Sequence, residues 1–387
     1  MDKPLADIKT QRISAPDAPT GISVVTPTHG RGSLVRALLE SLQIARSATS
    51  LSSEVLIIDS SKDGEGDVIR TACEQFGASY VHHPVNNVRQ KRNLGIQKAQ
   101  FPIILFIDSD CRALPGLIIE HAAAYGDGTG GVIGLTRFVG PDSLVWRLIE
   151  RTSVLDAFSY AKRMEVAPWG PTCNISYRKQ VLDEIGQFDT SFPFRLGGDD
   201  VDLGLRVTDS GYRIKCNPQA VVEHTRETWS KIGLIARRLF RWGRMHFHMI
   251  RKHAGRIIYD FPTVSGIFFL LLILMAISAL AARHAVLALA PFIWLVMELL
   301  IETALLCGSP GQNWRAFPYV LGARLLGSIF EMGTLVEGLR HGSVMPFYKE
   351  IYYTRPSPNS PGRNRRIMQI WASTLALIIL TLLSYWL

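Results

Sequence analysis

The sequence predicts an α/β domain built on a largely parallel sheet and followed by a membrane region. Three observations predict it. In the first 135 of 387 residues, short apolar runs closed by turn residues alternate with segments of helical apolar spacing. Those runs are apolar at nearly every position, as strands buried on both faces are. Long uncharged stretches then fill much of the last third of the chain.

The elements follow in order. GISVVTPTHGR, Gly21 to Arg31, reads as a buried strand broken by Pro27, and Leu34 to Ala45 has helical apolar spacing. SEVLIIDSSKDG, Ser53 to Gly64, is a second buried strand that ends in Asp59 and a turn rich in Ser, Asp and Gly. Asp67 to Phe76 reads as a helix, Ser79 to His83 as a short strand, and Arg89 to Ala99 as a helix with a basic face. FPIILFIDSDC, Phe101 to Cys111, is apolar and then closes on Asp108 and Asp110. In an open α/β sheet ligands bind beyond the carboxyl ends of the strands, so Pro27-Thr28, Asp59 and Asp108 should meet at one sheet edge. Further on, Gly170 to Asp189 reads as a loop, a short strand and a helix. FRLGGDDVDLGLR then sets Asp199, Asp200 and Asp202 ahead of another helix.

These residue types suit a charged ligand. Thr28 offers a hydroxyl, Asp59 can accept from a base N–H or a ribose hydroxyl, and Arg31, Arg89, Lys91 and Arg92 can meet phosphate. Asp108 and Asp110 repel each other at a strand end, and a diphosphate bridged by Mg²⁺ or Mn²⁺ would relieve that repulsion. No glycine-rich phosphate loop follows the first strand, which sets aside Rossmann and P-loop sites. One acid at a helix start is a cap. Three after Gly197-Gly198 are more than a cap requires and point to a catalytic carboxylate among them, with Asp202 also spaced to pair with Arg206.

TPTHGR, LIIDSSKD, VRQKRNLGI, FIDSDC, GPTCNISYR and GGDDVDLGLR stand in the order and spacing of the family 2 glycosyltransferases, which have the GT-A fold. The resemblance runs from about Gly21 to His224. It implies an inverting enzyme that binds a nucleotide-sugar donor (a UDP- or GDP-sugar) with a divalent cation. It implies that Asp110 ligates the metal, that Asp108 contacts the ribose or sugar, and that Asp200 is the base, beside Asp199 on the acceptor side. His224 falls near the position where many GT-A enzymes hold a His close to the metal, although a single His is also an ordinary structural residue. RRLFRW resembles an R-x-x-R-W motif of processive members. This implies Arg241 near the diphosphate and Trp242 against the acceptor sugar; the same pattern also suits a helix whose Trp sits at lipid headgroups. The chain departs from the family at Asp59-Ser60, usually Asp-Asp, and at His29-Gly30, usually an aromatic residue and Asn. A haloacid-dehalogenase phosphatase also uses D-x-D, but on its first strand and with Thr or Val at the position that Arg112 occupies here. A membrane-anchored sensor or scaffold that binds the sugar nucleotide without turnover is the remaining alternative.

The second part reads as membrane-bound. Residues 264–282 and 367–387 are uncharged spans, and 285–307 is a third whose Glu298 and Glu302 should face protein. Residues 316–339, with Arg324, Glu331 and Glu337, read as interfacial or re-entrant. Arg226 to Arg256 carries nine Arg and Lys against the single acid Glu227, with Trp229, Phe240, Trp242 and Phe247 among them. That composition predicts basic amphipathic helices over 226–262 on anionic lipid and disfavours a nucleic-acid partner. Residues 1–20 form a polar segment without a signal-peptide core. Five cysteines without a CxxC spacing match neither a disulfide framework nor a zinc knot. The expected location is the inner, cytoplasmic membrane as a multi-pass protein, with the domain at 21–225 in the cytosol. Its expected partners are the sugar-nucleotide donor, a lipid-linked or glycan acceptor, and membrane lipid.

Overall fold

The computed structural model describes residues 19–259 apart from 63, 151–152 and 196, then 290–307, 314–347, 349–351 and isolated positions. The chain divides into two compact units. The first comprises residues up to Pro141 together with Leu155–Thr228; the second comprises Asp142–Val154 and Trp229 onward.

The first unit is a nine-stranded sheet in the order β3-β2-β1-β4-β8-β6-β9-β5, with β7 also paired to β9. Its strands are β1 (Gly21–Thr28), β2 (Ser52–Asp59), β3 (Ser79–His82), β4 (Ile103–Phe106), β5 (Cys111–Ala113), β6 (Thr129–Val139), β7 (Val166–Ala167), β8 (Ile175–Arg178) and β9 (Arg213–Thr225). The half made of β3, β2, β1 and β4 is parallel, as the strand-helix alternation predicts. Beyond β4 the sheet is mixed, because β8 runs antiparallel to both β4 and β6. Side chains alternate between two cores. Ile22, Val24, Ile57 and Leu105 pack with Val35 and Leu38 of α1 (Gly32–Ser47) and Ile69 of α2 (Gly64–Gln75). Val25, Ile58, Ile104 and Phe106 pack with Ile96 of α3 (Val88–Lys98) on the opposite face. Alternate residues of one strand thus enter separate cores, which requires strands apolar throughout. The remaining helices of this unit are α4 (Leu117–Ala123), α6 (Tyr160–Arg163), α7 (Lys179–Ile185) and α8 (Asp199–Asp209).

The break expected at Pro27 is absent: β1 runs through it, with Pro27 opposite Ile58 of β2. The last β1–β4 pair is Val25 with Phe106, so the missing N–H falls where β4 no longer needs a donor.

In the second unit, α5 is Leu144–Ile149 and α9 is the basic helix Ile232–Lys252. Helices were expected across 226–262, but Ile257–Tyr259 is a strand antiparallel to Lys349–Ile351. Gly255 interrupts the helical pattern, and consecutive Ile257, Ile258 and Tyr259 favour the extended chain. Ala290–Cys307 is helical, with Glu298 buried as expected. Phe317–Arg340, expected to be interfacial or re-entrant, is one continuous helix of 24 residues. Extended to Trp314, it is the one helix among the described residues long and apolar enough to cross a membrane. Residues 1–18, nearly all of 264–282 and 367–387, and the side chain of Glu302 lie outside the described residues.

Candidate active site

β4 stops at Phe106, and the chain turns through Asp108 to Asp110 before β5 begins, closed by the Cys111 N–H donating to the Asp108 carbonyl at 3.1 Å. Because β5 pairs with β9 in the register Cys111 to His224, the imidazole comes beside the second acid. His224 Nε2 lies 3.4 Å from Asp110 Oδ1, and Arg31 donates to Asp110 Oδ2 at 3.0 Å. His224 Nδ1 is 2.9 Å from the Thr225 carbonyl, an oxygen that only accepts, so Nδ1 carries the proton. Nε2 therefore faces a carboxylate oxygen, and in the neutral ring the two lone pairs at that distance repel unless a cation lies between them. An oxygen and a nitrogen ligand, with the ring fixed by its other nitrogen, fit a divalent ion such as Mn²⁺ or Mg²⁺. The Cys111 thiol is close to both, but burial, together with Cys173, keeps it protonated.

The second group of acids opens α8. Gly198 enters the helix at φ 73, a backbone that glycine takes without strain, and Asp199, Asp200 and Asp202 occupy the first turn. They divide by partner. Asp202 pairs with Arg206 at 2.9 Å, as its spacing predicts. Asp199 is ion-paired to Arg92, and its other oxygen accepts from the Gly197 N–H at 3.1 Å. Asp200 meets only the Val201 N–H, at 2.9 Å, among the bonds described. Burial and the neighbouring Asp199 push its carboxyl up to about 7, in the range of a general base. Burial also raises Asp108, against the pull of Arg92 and with a push from Asp110.

Two arginines of α3 join the halves. Arg92 bonds Asp199 and also Asp108, the latter at 3.1 Å, so one guanidinium spans the strand-end turn and the α8 acids. Arg89 is completely buried, donates to the Phe194 carbonyl and, at 2.7 Å, to that of Gly197, and lies over the Phe192 ring. The sequence pointed both arginines at phosphate. In the structure they organise the acids and the loop before α8. The spacing of Arg89 and Arg92 on one helix face was visible, but their partners Phe194, Gly197 and Asp199, about a hundred residues on, were not.

Thr28 and Asp59 stand opposite each other at the ends of β1 and β2, at the expected edge. Neither is open to a ligand. The Thr28 hydroxyl donates to the Gly30 carbonyl at 3.1 Å, and Pro27 is buried in β1. Asp59 Oδ1 accepts from the Ser61 N–H and hydroxyl, and Oδ2 from the Tyr80 hydroxyl at 3.0 Å. The base contact expected of Asp59 therefore meets a carboxylate already filled; Ser61 and Tyr80 were not singled out in the sequence. Lys91 is buried too, donating to the Thr28 carbonyl at 2.6 Å and Ser60 Oγ at 2.9 Å, and burial lowers its amine to about 8.

Residues 23–186 match the family model described as Glycosyl transferase family 2. This segment is similar to family 2 glycosyltransferase domains. Two curated relatives, the pre-mycofactocin glycosyltransferases of two strains of Mycobacterium tuberculosis, are 25% identical over 252 residues, which cover 60% of this chain and 49% of theirs. The chain thus spans about half the length of the curated relatives it matches. Among solved structures, the mannosyltransferase PcManGT of Pyrobaculum calidifontis, in complex with GDP-Man and Mn²⁺, aligns over 83% of this chain and 87% of its own. Its TM-score is 0.51 at 18% identity, a likeness of fold.

Arg241 and Trp242 belong to the second unit, on α9. The Trp242 ring lies 6.2 Å from that of Trp229, and the Arg238 guanidinium sits 4.1 Å over Trp229. Arg241 is half-buried, and its Nε has no hydrogen-bond partner among the described residues.

Proposed function

We propose that this protein is a membrane-bound inverting glycosyltransferase. It transfers a sugar from a UDP- or GDP-sugar to a lipid-linked, saccharide or peptide acceptor at the cytosolic face of the inner membrane. The observation that carries the reading is Arg92, which ties the Asp108 turn to the Asp199-Asp200 pair. Donor-side acids and a raised carboxylate are thereby held in one cluster. Asp200 takes the proton from the acceptor hydroxyl as that oxygen attacks the anomeric carbon in line with the departing diphosphate. Asp199 is held by Arg92 on the acceptor side, and Asp108 meets the ribose or sugar. Asp110 and His224 hold Mg²⁺ or Mn²⁺, which when bound offsets charge on the diphosphate. The Mn²⁺ and GDP-Man held by the fold relative support this donor class. Arg31 is the arginine at the turn placed to reach the diphosphate. The R-x-x-R-W resemblance assigns Arg241 a second phosphate contact and Trp242 an acceptor platform. Pro27, Thr28 and Asp59 shape the nucleotide end from behind, through the bonds already given.

The test is turnover of purified protein with UDP- and GDP-sugars and Mn²⁺, reading free nucleoside diphosphate and the anomeric configuration of the product. Inversion, together with loss of turnover in Asp200→Asn, is expected. Retention of configuration overturns the mechanism, and donor binding without release of diphosphate leaves a sensor.

A further inference from the structure

The donor-side turn contains a charge arrangement that the assignment of ligands leaves unexplained. Asp110 is approached from two sides: His224 Nε2 at one oxygen and the Arg31 guanidinium at the other, 3.0 Å away. A cation held by Asp110 and His224 must share the carboxylate with a fixed positive charge or displace it. Two cations on one carboxylate repel over a few ångströms, and water screens that repulsion only in part.

Arg31 is held for this position at a cost. Its backbone is left-handed at φ 65, directly after Gly30 at φ 69, a conformation uncommon for a side chain larger than Asn. The Arg31 carbonyl anchors the start of α1, accepting from the Leu34 and Val35 N–H groups, both at 3.0 Å. The Gly30 N–H is held by Ser61 Oγ at 2.6 Å. The backbone is therefore fixed, whereas the Arg31 side chain is 47% exposed and free to change rotamer. Arg92, in contrast, is buried between two acids and cannot make that move.

We propose that Arg31 is a resident counter-charge that makes cation binding at Asp110 conditional on an arriving diphosphate. With no phosphate present, Arg31 neutralises Asp110 and weakens its hold on a divalent ion. A diphosphate supplies the negative charge that lets the guanidinium leave the carboxylate for a phosphate oxygen, so cation and nucleotide bind together rather than in succession. The inference rests on the cation site given under the proposed function.

Electron paramagnetic resonance of free Mn²⁺ tests it on the full-length chain in detergent, stripped with chelator, without nucleotide and then with UDP or GDP. Wild type should bind Mn²⁺ poorly alone and much better with nucleotide, after correction for the Mn²⁺–nucleotide complex. Arg31→Gln should bind Mn²⁺ alone about threefold to tenfold more tightly, the scale of losing one partly exposed ion pair plus a like-charge neighbour, and should gain less from nucleotide. Arg31→Lys should behave as wild type, and Asp110→Asn should bind no Mn²⁺ in either background. If Arg31→Gln binds Mn²⁺ alone no better than wild type while wild type still shows nucleotide-dependent binding, this inference falls and the metal site stands. If wild type binds nucleotide but never Mn²⁺, both fall.

Discussion

Asp200 and Asp199 are adjacent in the chain, yet the fold gives them different surroundings. Asp199 spends its charge on Arg92, whereas Asp200 keeps a carboxyl raised to about 7. Only its ionised form takes a proton, so turnover should fall about tenfold per pH unit below 7 and level off above it, read as kcat against pH at saturating Mn²⁺. Asp200→Asn should lower kcat by roughly 10²- to 10⁴-fold, with donor affinity nearly unchanged. Stability gives an independent reading. A carboxyl whose pKa is raised on folding holds its proton longer in the native state, so its contribution is lost as pH rises from the ordinary aspartate range through about 7. Asp200→Asn should therefore melt higher than wild type at pH 8, with the gap closing toward pH 4. A gap that does not change with pH would mean that folding leaves the Asp200 carboxyl unshifted.

At the scale of elements, α9 crosses the helix Phe317–Arg340 closely enough that their backbones nearly touch. A Cβ on Gly243 would run into the Phe330 backbone, and one on Gly333 into that of Phe240. The Thr334 hydroxyl donates to the Gly243 carbonyl at 2.9 Å, and one turn on Arg244 meets Glu337 at 2.7 Å. Gly243→Ala should cost about 1–3 kcal/mol by overpacking, seen as a lower melting temperature or faster proteolysis. Gly233→Ala, on the same helix with nothing within 4 Å, should instead stabilise by up to about 1 kcal/mol. Neither glycine stands out in the sequence, because a close helix crossing is specified by two segments at once. Strands β1, β2 and β4, by contrast, were legible almost to their ends, because burial on both faces leaves a long apolar run. In the mixed half β7 and β5 were not, being two and three residues long with no period.

For the molecule as a whole, membrane attachment is the property most open to test. At about 1.5 Å per residue, the 24-residue helix Phe317–Arg340 is roughly 36 Å long, enough to cross a bilayer core. Deleting residues 367–387 should leave the protein in the membrane fraction after a carbonate wash. Release into the supernatant would mean that attachment depends on the C-terminal stretch alone.

Local chemistry is what the sequence by itself determined: which runs are strands, where carboxylates interrupt them, and that Asp59, Asp108, Asp110 and the three acids of α8 stand at element ends. Those features follow from periodicity and composition over a few neighbouring residues. Only the tertiary structure decided which charges cancel. Asp59 is filled by Ser61 and Tyr80, Arg92 spans Asp108 and Asp199, and Arg31 answers Asp110 beside His224. Apart from Asp59 with Ser61, each of these pairings joins residues on different elements. A charge in the chain carries a sign but no address, and the address comes from the sheet order and register that bring the elements together.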